Sequence, residues 1–175
     1  VLPMNMSLEA FKTKVLPVKD KLYRFALKLV KSEPEAQDVV QEVLIKVWDK
    51  RNEMDEVENL EAWCMRVTRN LSLDKLKSKH ASKTSGLEEG FEVSQGEKVT
   101  PYRSTEMKDI MENIGNLISS LPDKQKQVIQ LRDVEGFSYK EIGDIMEIDM
   151  NQVKVNLFRA RKAVRENLLN INAYG

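Results

Sequence analysis

Apolar residues recur at intervals of three and four through most of the chain, the spacing of amphipathic helices rather than strands. Leu8, Phe11 and Val15 share one helical face until Pro17, which breaks or restarts the helix. Leu22, Phe25, Ala26 and Leu29 resume the stripe. Ser32 and Glu35 have the Ser-x-x-Glu spacing of a capping box. The helix they open carries Ala36, Val40, Val43, Leu44 and Val47 inward and ends near Trp48-Asp49-Lys50. Residues 51–58 lose the period and are acidic, which predicts a loop. Asn59 is placed to cap a helix running to about Lys79, with Leu60, Trp63, Val67, Leu71 and Leu76 as its apolar positions.

Residues 81–104 change character, being rich in Gly, Ser and Glu and poor in apolar side chains. Such a segment cannot bury enough surface to offset its ordering entropy, so it reads as a linker. Helical periodicity returns at Thr105, with Ile110, Ile114, Leu117, Ile118 and Leu121 on one stripe. Pro122 suits the first position of a further helix bearing Val128, Ile129 and Leu131 and stopping by Gly136. Ser138 and Glu141 form a second capping box, with Phe137 placed to staple to Ile142. The same grammar repeats at Ile148, Asp149, Gln152 and Val153, so two capped helices meet across a short turn: a helix-turn-helix. The expected fold is all-α, in two small helical domains over residues 5–80 and 105–172 joined by the linker.

The last helix, 149 to about 168, puts Val153, Leu157, Ala160 and Val164 on one side. The other side carries Asn151, Lys154, Val155, Arg159, Lys162 and Arg165, with Gln152, Asn156 and Arg161 on the flanks. From Lys154 to Arg165 the charges are all basic. Such a face is either a solvated stripe or a reading surface; the capped helix and turn before it favour reading DNA. Asn and Gln pair bidentately with adenine, and Val155 suits a thymine methyl. The long helix from Asn59 to about Lys79 is also basic toward its end, with Arg66, Arg69, Lys75, Lys77 and Lys79 against Asp74. By itself that is an ordinary charged face, and Trp63 on its apolar stripe reads as a core residue.

Composition narrows the function. Lys+Arg 28 against Asp+Glu 28 gives no net charge, so no whole-chain field draws nucleic acid. One cysteine, Cys64, and one histidine, His80, argue against a disulfide framework, a Cys or His metal site, and most nucleophilic catalysis. Cys64, inside a predicted helix, reads as a small buried side chain. No phosphate-cradling glycine loop is present, so neither an enzyme nor a bound cofactor or small-molecule substrate is expected. No run approaches the ~18 apolar residues of a membrane span, and no signal-peptide pattern appears, so cytoplasmic residence is expected. Val1-Leu2-Pro3 ahead of Met4 and Met6 reads as an addition before a native start.

The assembled motifs resemble a known family. Asp38-Val39-Val40-Gln41-Glu42-Val43 followed by Lys46-Val47-Trp48 resembles the second conserved region of bacterial sigma-70 factors. Asn59 to Trp63, Arg66 to Asn70 and Asp74-Lys75-Leu76 resemble its promoter-melting segment. Leu121-Pro122, Tyr139 to Ile142, Val153-Lys154 and Arg159-Ala160-Arg161 resemble its C-terminal helix-turn-helix. A short chain with only these regions is similar to the extracytoplasmic-function group.

The resemblance implies roles. Asp38, Gln41, Glu42 and Lys46 would dock on the clamp helices of RNA polymerase's largest subunit, where an acidic solvated face is the alternative. Residues 51–58 and the next helix would handle the minus-ten element, with a base flipped into a protein pocket. Arg66, Arg69, Asn70, Lys75 and Lys77 are the candidate contacts there, Asn70 otherwise being a polar residue on an exposed face. The minus-thirty-five element would meet Asn151, Gln152, Lys154, Val155, Asn156, Arg159 and Lys162. Val155 and Asn156 stand where the family often has Ser and Arg, so its base preference does not transfer. The polymerase flap region and an anti-sigma factor are further implied partners. Residues 82–104 at ~3.3 Å each reach at most ~75 Å, against roughly 70 Å for two turns of DNA. The rival readings are a two-domain operator-binding regulator, which predicts a dimer, and a helical antagonist of polymerase.

Overall fold

The computed structural model describes residues 6–84 and 105–173, and every regular element among them is helical. The linker reading over 85–104 and the reading of residues 1–3 lie outside the described residues. Four helices occupy the N-terminal half: α1 (Leu8–Lys14), α2 (Lys19–Val30), α3 (Glu33–Asp49) and α4 (Leu60–Thr84). Four more occupy the C-terminal half: α5 (Thr105–Ser120), α6 (Asp123–Ile129), α7 (Tyr139–Met146) and α8 (Met150–Ala173). Two compact units result, one containing α1–α4 and the other containing α5, α6 and α8.

In the first unit α2, α3 and α4 pack on one another. Leu22 and Phe25 from α2, Val39, Val43 and Val47 from α3, and Met65 from α4 are fully buried. Each contributes about 1.5–3 kcal/mol of apolar burial. Ser7 caps α1 by accepting from the Ala10 N–H at 3.1 Å, and a 3-10 turn over Leu16–Val18 absorbs Pro17 before α2 begins. Ser32 caps α3, accepting from the Glu35 N–H. The Glu35 carboxylate meets Lys79 Nζ at 3.5 Å, tying α3 to α4.

Helix α4 departs from the expected register. Leu60, Trp63, Val67, Leu71 and Leu76 are only half-buried, so Trp63 is not a core residue. The buried line is Ala62, Cys64, Met65, Thr68 and Ser72. Hydrophobicity alone passes over that line because most of it is small or hydroxylated. Thr68 enters the interior with its hydroxyl donating to the Cys64 carbonyl at 2.8 Å, which leaves no polar penalty there. The Asn59 side chain accepts from the Ala62 N–H at 3.0 Å, the expected cap. At the far end α4 runs on to Thr84, so residues 81–84 are helix rather than linker. The acidic segment before it holds a 3-10 turn, Met54–Glu56, anchored by buried Met54.

In the second unit Ile118, Leu121, Ile129 and Ala160 form a buried cluster, with Ile114, Ala163 and Val164 packed against it. Pro122 stands one place earlier than expected. Its ψ of 147 keeps it extended, so it is the cap whose carbonyl accepts the Lys126 N–H at 2.9 Å, and the helix begins at Asp123. The helix then widens into a π turn over Gln130–Val134, closed by Glu135 N–H to Gln130 carbonyl at 3.1 Å. Gly136 ends it at φ 79, a left-handed conformation that favours glycine.

The helix-turn-helix follows as read. Ser138 Oγ accepts from the Glu141 N–H at 3.1 Å while Glu141 Oε1 accepts from the Ser138 N–H at 2.9 Å, completing the capping box. Phe137 and Ile142 are both buried. Asp149 Oδ1 caps α8 from the Gln152 N–H at 2.8 Å. Gly143, inside α7, faces the turn that follows: a Cβ there would stand 3.0 Å from the Ile148 carbonyl oxygen and 3.9 Å from Val153 Cγ2.

Candidate nucleic-acid interface

Helix α3 turns Asp38, Gln41, Glu42 and Lys46 to solvent while its valines face the core. At ~100° per residue, Asp38, Gln41 and Glu42 fall within one strip, with Asp49 continuing it and Lys46 at its edge. In the middle of that strip lies Ile45, 58% exposed, which the sequence reading left out. It is out of phase with the Val39, Val43 and Val47 stripe, and that phase was the available signal. Beside it Trp48 is already engaged. Phe11 meets its ring edge-on with centroids 5.5 Å apart, and the Arg51 guanidinium lies 4.3 Å over its centroid. Arg51 Nη1 also donates to the Trp48 carbonyl at 2.9 Å, closing the end of α3.

On α4 the same arithmetic brings Arg66, Asn70 and Lys77 onto one outward strip with Arg69 at its border, opposite the buried Cys64–Thr68 side. Asn70 and Lys77 are exposed. Lys75 is not brought to them: it falls about 180° from Arg66.

Helix α8 buries Val153, Leu157 and Ala160 and exposes Asn151, Gln152, Lys154, Val155, Arg159 and Lys162. Asn156 stands apart from these. It is half-buried, and its Nδ2 donates to the Gln152 carbonyl at 2.8 Å. Gln152 Oε1 accepts from Lys124 Nζ at 3.2 Å, linking α8 to α6. A residue absent from the sequence reading joins the face: Phe158, 69% exposed, one turn beyond Val155 and Lys154 and one turn before Lys162. An aromatic ring and a valine thus stand among Lys154, Arg159, Lys162 and Arg165, the mixture of apolar base contact and phosphate contact that a major-groove helix uses.

The face is braced from behind. Arg161 Nε and Nη2 reach Asp133 at 3.0 and 2.6 Å. That hydrogen bond raises the Arg161 pKa against an opposing effect of burial, with the Asp133 charge and Tyr139 adding to it. Arg132 donates to the Phe137 carbonyl at 2.9 Å, and its guanidinium lies 5.0 Å over the Tyr139 ring. Among the described residues no group of His, Cys, Asp and Glu is placed to hold a metal ion. None of their helices is long and apolar enough to cross a membrane.

Two family models match the chain: sigma-70 region 2 over residues 15–82 and sigma-70 region 4 over residues 111–164, together more than half its length. The chain belongs to the sigma-70 family. Several of its relatives are named as ECF RNA polymerase sigma factors. The chain is 29% identical over 167 residues to the ECF RNA polymerase sigma factor SigW of Bacillus subtilis, covering 91% of this chain and 89% of that protein. It is 27% identical over 149 residues to the ECF sigma factor SigE of Mycolicibacterium smegmatis, covering 85% of this chain and 58% of that protein. The solved structure of the sigma factor RpoE in complex with the anti-sigma factor NepR from Bartonella quintana matches with TM-score 0.76 at 26% identity, over 92% of this chain and 98% of that one. CnrH, solved with the cytosolic domain of CnrY, shares the fold with TM-score 0.66 at 18% identity, over 93% of this chain and 89% of that one. The region 2 match of this sigma factor takes in α2, α3 and most of α4, and its region 4 match contains the helix-turn-helix.

Proposed function

We propose that this sigma factor binds core RNA polymerase through α3 and directs it to promoters with a minus-ten and a minus-thirty-five element. The N-terminal domain, over residues 5–80 and continued along α4, docks Asp38, Gln41, Glu42 and Lys46 on the clamp helices of the largest subunit. Arg66, Arg69, Asn70 and Lys77 receive the minus-ten strand, with Lys75 at most a peripheral contact. The C-terminal domain, over residues 105–172, meets the minus-thirty-five element with Asn151, Lys154, Val155, Arg159 and Lys162, and with Gln152 once its amide leaves Lys124. Asn156 supports the helix rather than reading a base. The protein is an initiation factor without catalysis of its own, works in the cytoplasm, contacts the flap region, and is held in check by an anti-sigma factor.

The observation that carries this reading is the pairing of two different outward faces: an acidic strip with an apolar centre on α3, and a basic strip with an apolar centre on α8. The first suits a basic protein and the second suits DNA. The chain's zero net charge fits the same division of labour. Too few phosphates are neutralised for strong duplex binding by the free chain, so polymerase supplies the rest.

In vitro transcription with core polymerase on a randomised promoter library tests the proposal. New start sites sharing a two-part motif are expected only when the chain is added. Binding to core without new starts would make it an antagonist. Tight operator binding by a dimer of the free chain would make it a conventional regulator.

A further inference from the structure

We propose that Ile45 is the apolar anchor of the α3 docking surface, seated in an apolar socket that a basic rim surrounds on the partner. This rests on the polymerase reading and adds the residue on which that contact turns. Every valine of α3 is buried, together with Ala36, and Leu44 is half-buried. Ile45 alone among the helix's aliphatic side chains stands open, at 58%. A single exposed aliphatic side chain is ordinary on a protein surface, so what marks Ile45 is the charged ring around it.

The surroundings say what kind of contact. Asp38, Glu42 and Asp49 share the strip with Ile45, Gln41 flanks it, and Lys46 is the one cation at its edge. An apolar centre within a polar ring is the anatomy of an interface hot spot, in which the ring excludes water and the centre carries the affinity. Three carboxylates against one ammonium call for a partner rim that is basic. DNA is excluded as the occupant of this face, because the carboxylates would meet phosphates. Trp48 cannot serve as the anchor in its place while Arg51 covers its ring and Phe11 packs against it at a steep angle. A helical surface of polymerase with an apolar pocket between Lys or Arg side chains meets these requirements.

The test uses the full chain and core polymerase, measuring the dissociation constant at low and moderate salt together with the thermal melt of the free chain. Ile45→Asp is expected to weaken core binding by more than ~100-fold and Ile45→Ala by about tenfold, in the range of hot-spot truncations. Ile45→Leu, which keeps the apolar area, is expected to stay within about threefold of the parent. The melt is expected to be unchanged in all three. Asp49→Asn is expected to slow association and flatten its salt dependence, as loss of a rim charge does. If the parent chain fails to bind core, the polymerase reading falls and this proposal with it. If the parent binds and Ile45→Asp binds equally well, the reading stands and the anchor is overturned. Loss of binding by Ile45→Leu with an unchanged melt would also overturn it, as would loss of self-association in place of core binding.

Discussion

Asp133 and Arg161 form a two-pronged pair, with both contacts at 3.0 Å or less, that joins the π turn after α6 to the middle of α8. Because Arg161 is held this way, its charge braces the reading face instead of adding to it. Both side chains are more than a third exposed, so solvent screening limits the coupling. A double-mutant cycle with Asp133→Ala and Arg161→Ala in urea denaturation is expected to give about 1 kcal/mol of interaction. An additive result would show that the pair leaves the helix unbraced.

The α8 side chains are expected to separate by orientation. Phe158→Ala should cut transcription from minus-thirty-five-dependent promoters about tenfold, matching ~1–3 kcal/mol for a good base contact. Lys162→Ala should weaken holoenzyme binding across all sequences and lower the salt slope by about one. Asn156→Ala should leave the selected motif unchanged, since its amide is held by the Gln152 carbonyl. A changed motif in the library selection for Asn156→Ala would mean that this amide turns outward on DNA.

A similar division is expected on α4. Lys77→Ala should slow promoter opening several-fold, followed through permanganate-reactive thymines, whereas Lys75→Ala on the other side of the helix should leave it near the parent rate. Equal defects would place the strand across both sides of α4 and overturn the single-strip arrangement.

Burial, with a smaller push from the Glu61 charge, raises the Cys64 thiol pKa to about 12 from 9.0. The folded state therefore favours the neutral thiol. Its stabilising effect is complete below about pH 9 and is lost as pH rises toward 12. Stability in urea is expected to fall between pH 9 and 11 more steeply for the parent than for Cys64→Ala. A thiol reagent at pH 8 should leave the folded chain unlabelled; rapid labelling would show that α4 opens.

Much of this architecture is legible in the sequence because its signals are local. The caps at Ser32, Asn59, Ser138 and Asp149 each name their helix start through a side-chain oxygen and a nearby N–H. What escapes depends on neighbours distant in sequence. The inward side of α4 is set by α2 and α3, which accept Thr68 and Ser72 beside the expected Cys64, where a hydrophobicity reading places Trp63 and Val67. The π turn leaves no compositional mark, since Gln130–Val134 suits an α-helix equally well. Ile45 and Phe158 lie off the buried stripes of their helices, and helical phase singles both out. Asn156 is polar and falls beside the reading face, and only the structure shows its amide donating to the Gln152 carbonyl of its own helix.

At Gly143 the spacing between α7 and the entry to α8 is set by a missing methyl group. A Cβ at 143 would press on the Ile148 carbonyl at 3.0 Å, so the backbone of the turn would have to give by a few tenths of an ångström. Position 143 therefore works as a gauge block. Gly, then Ala, then Val would open the corner in steps and tilt the reading helix with it. Tilt displaces the far end of α8 more than its near end, so the bases met first would hold while those met last drift out of register. The promoter code would then degrade from one end, and its length would report the width of a gap smaller than one carbon atom.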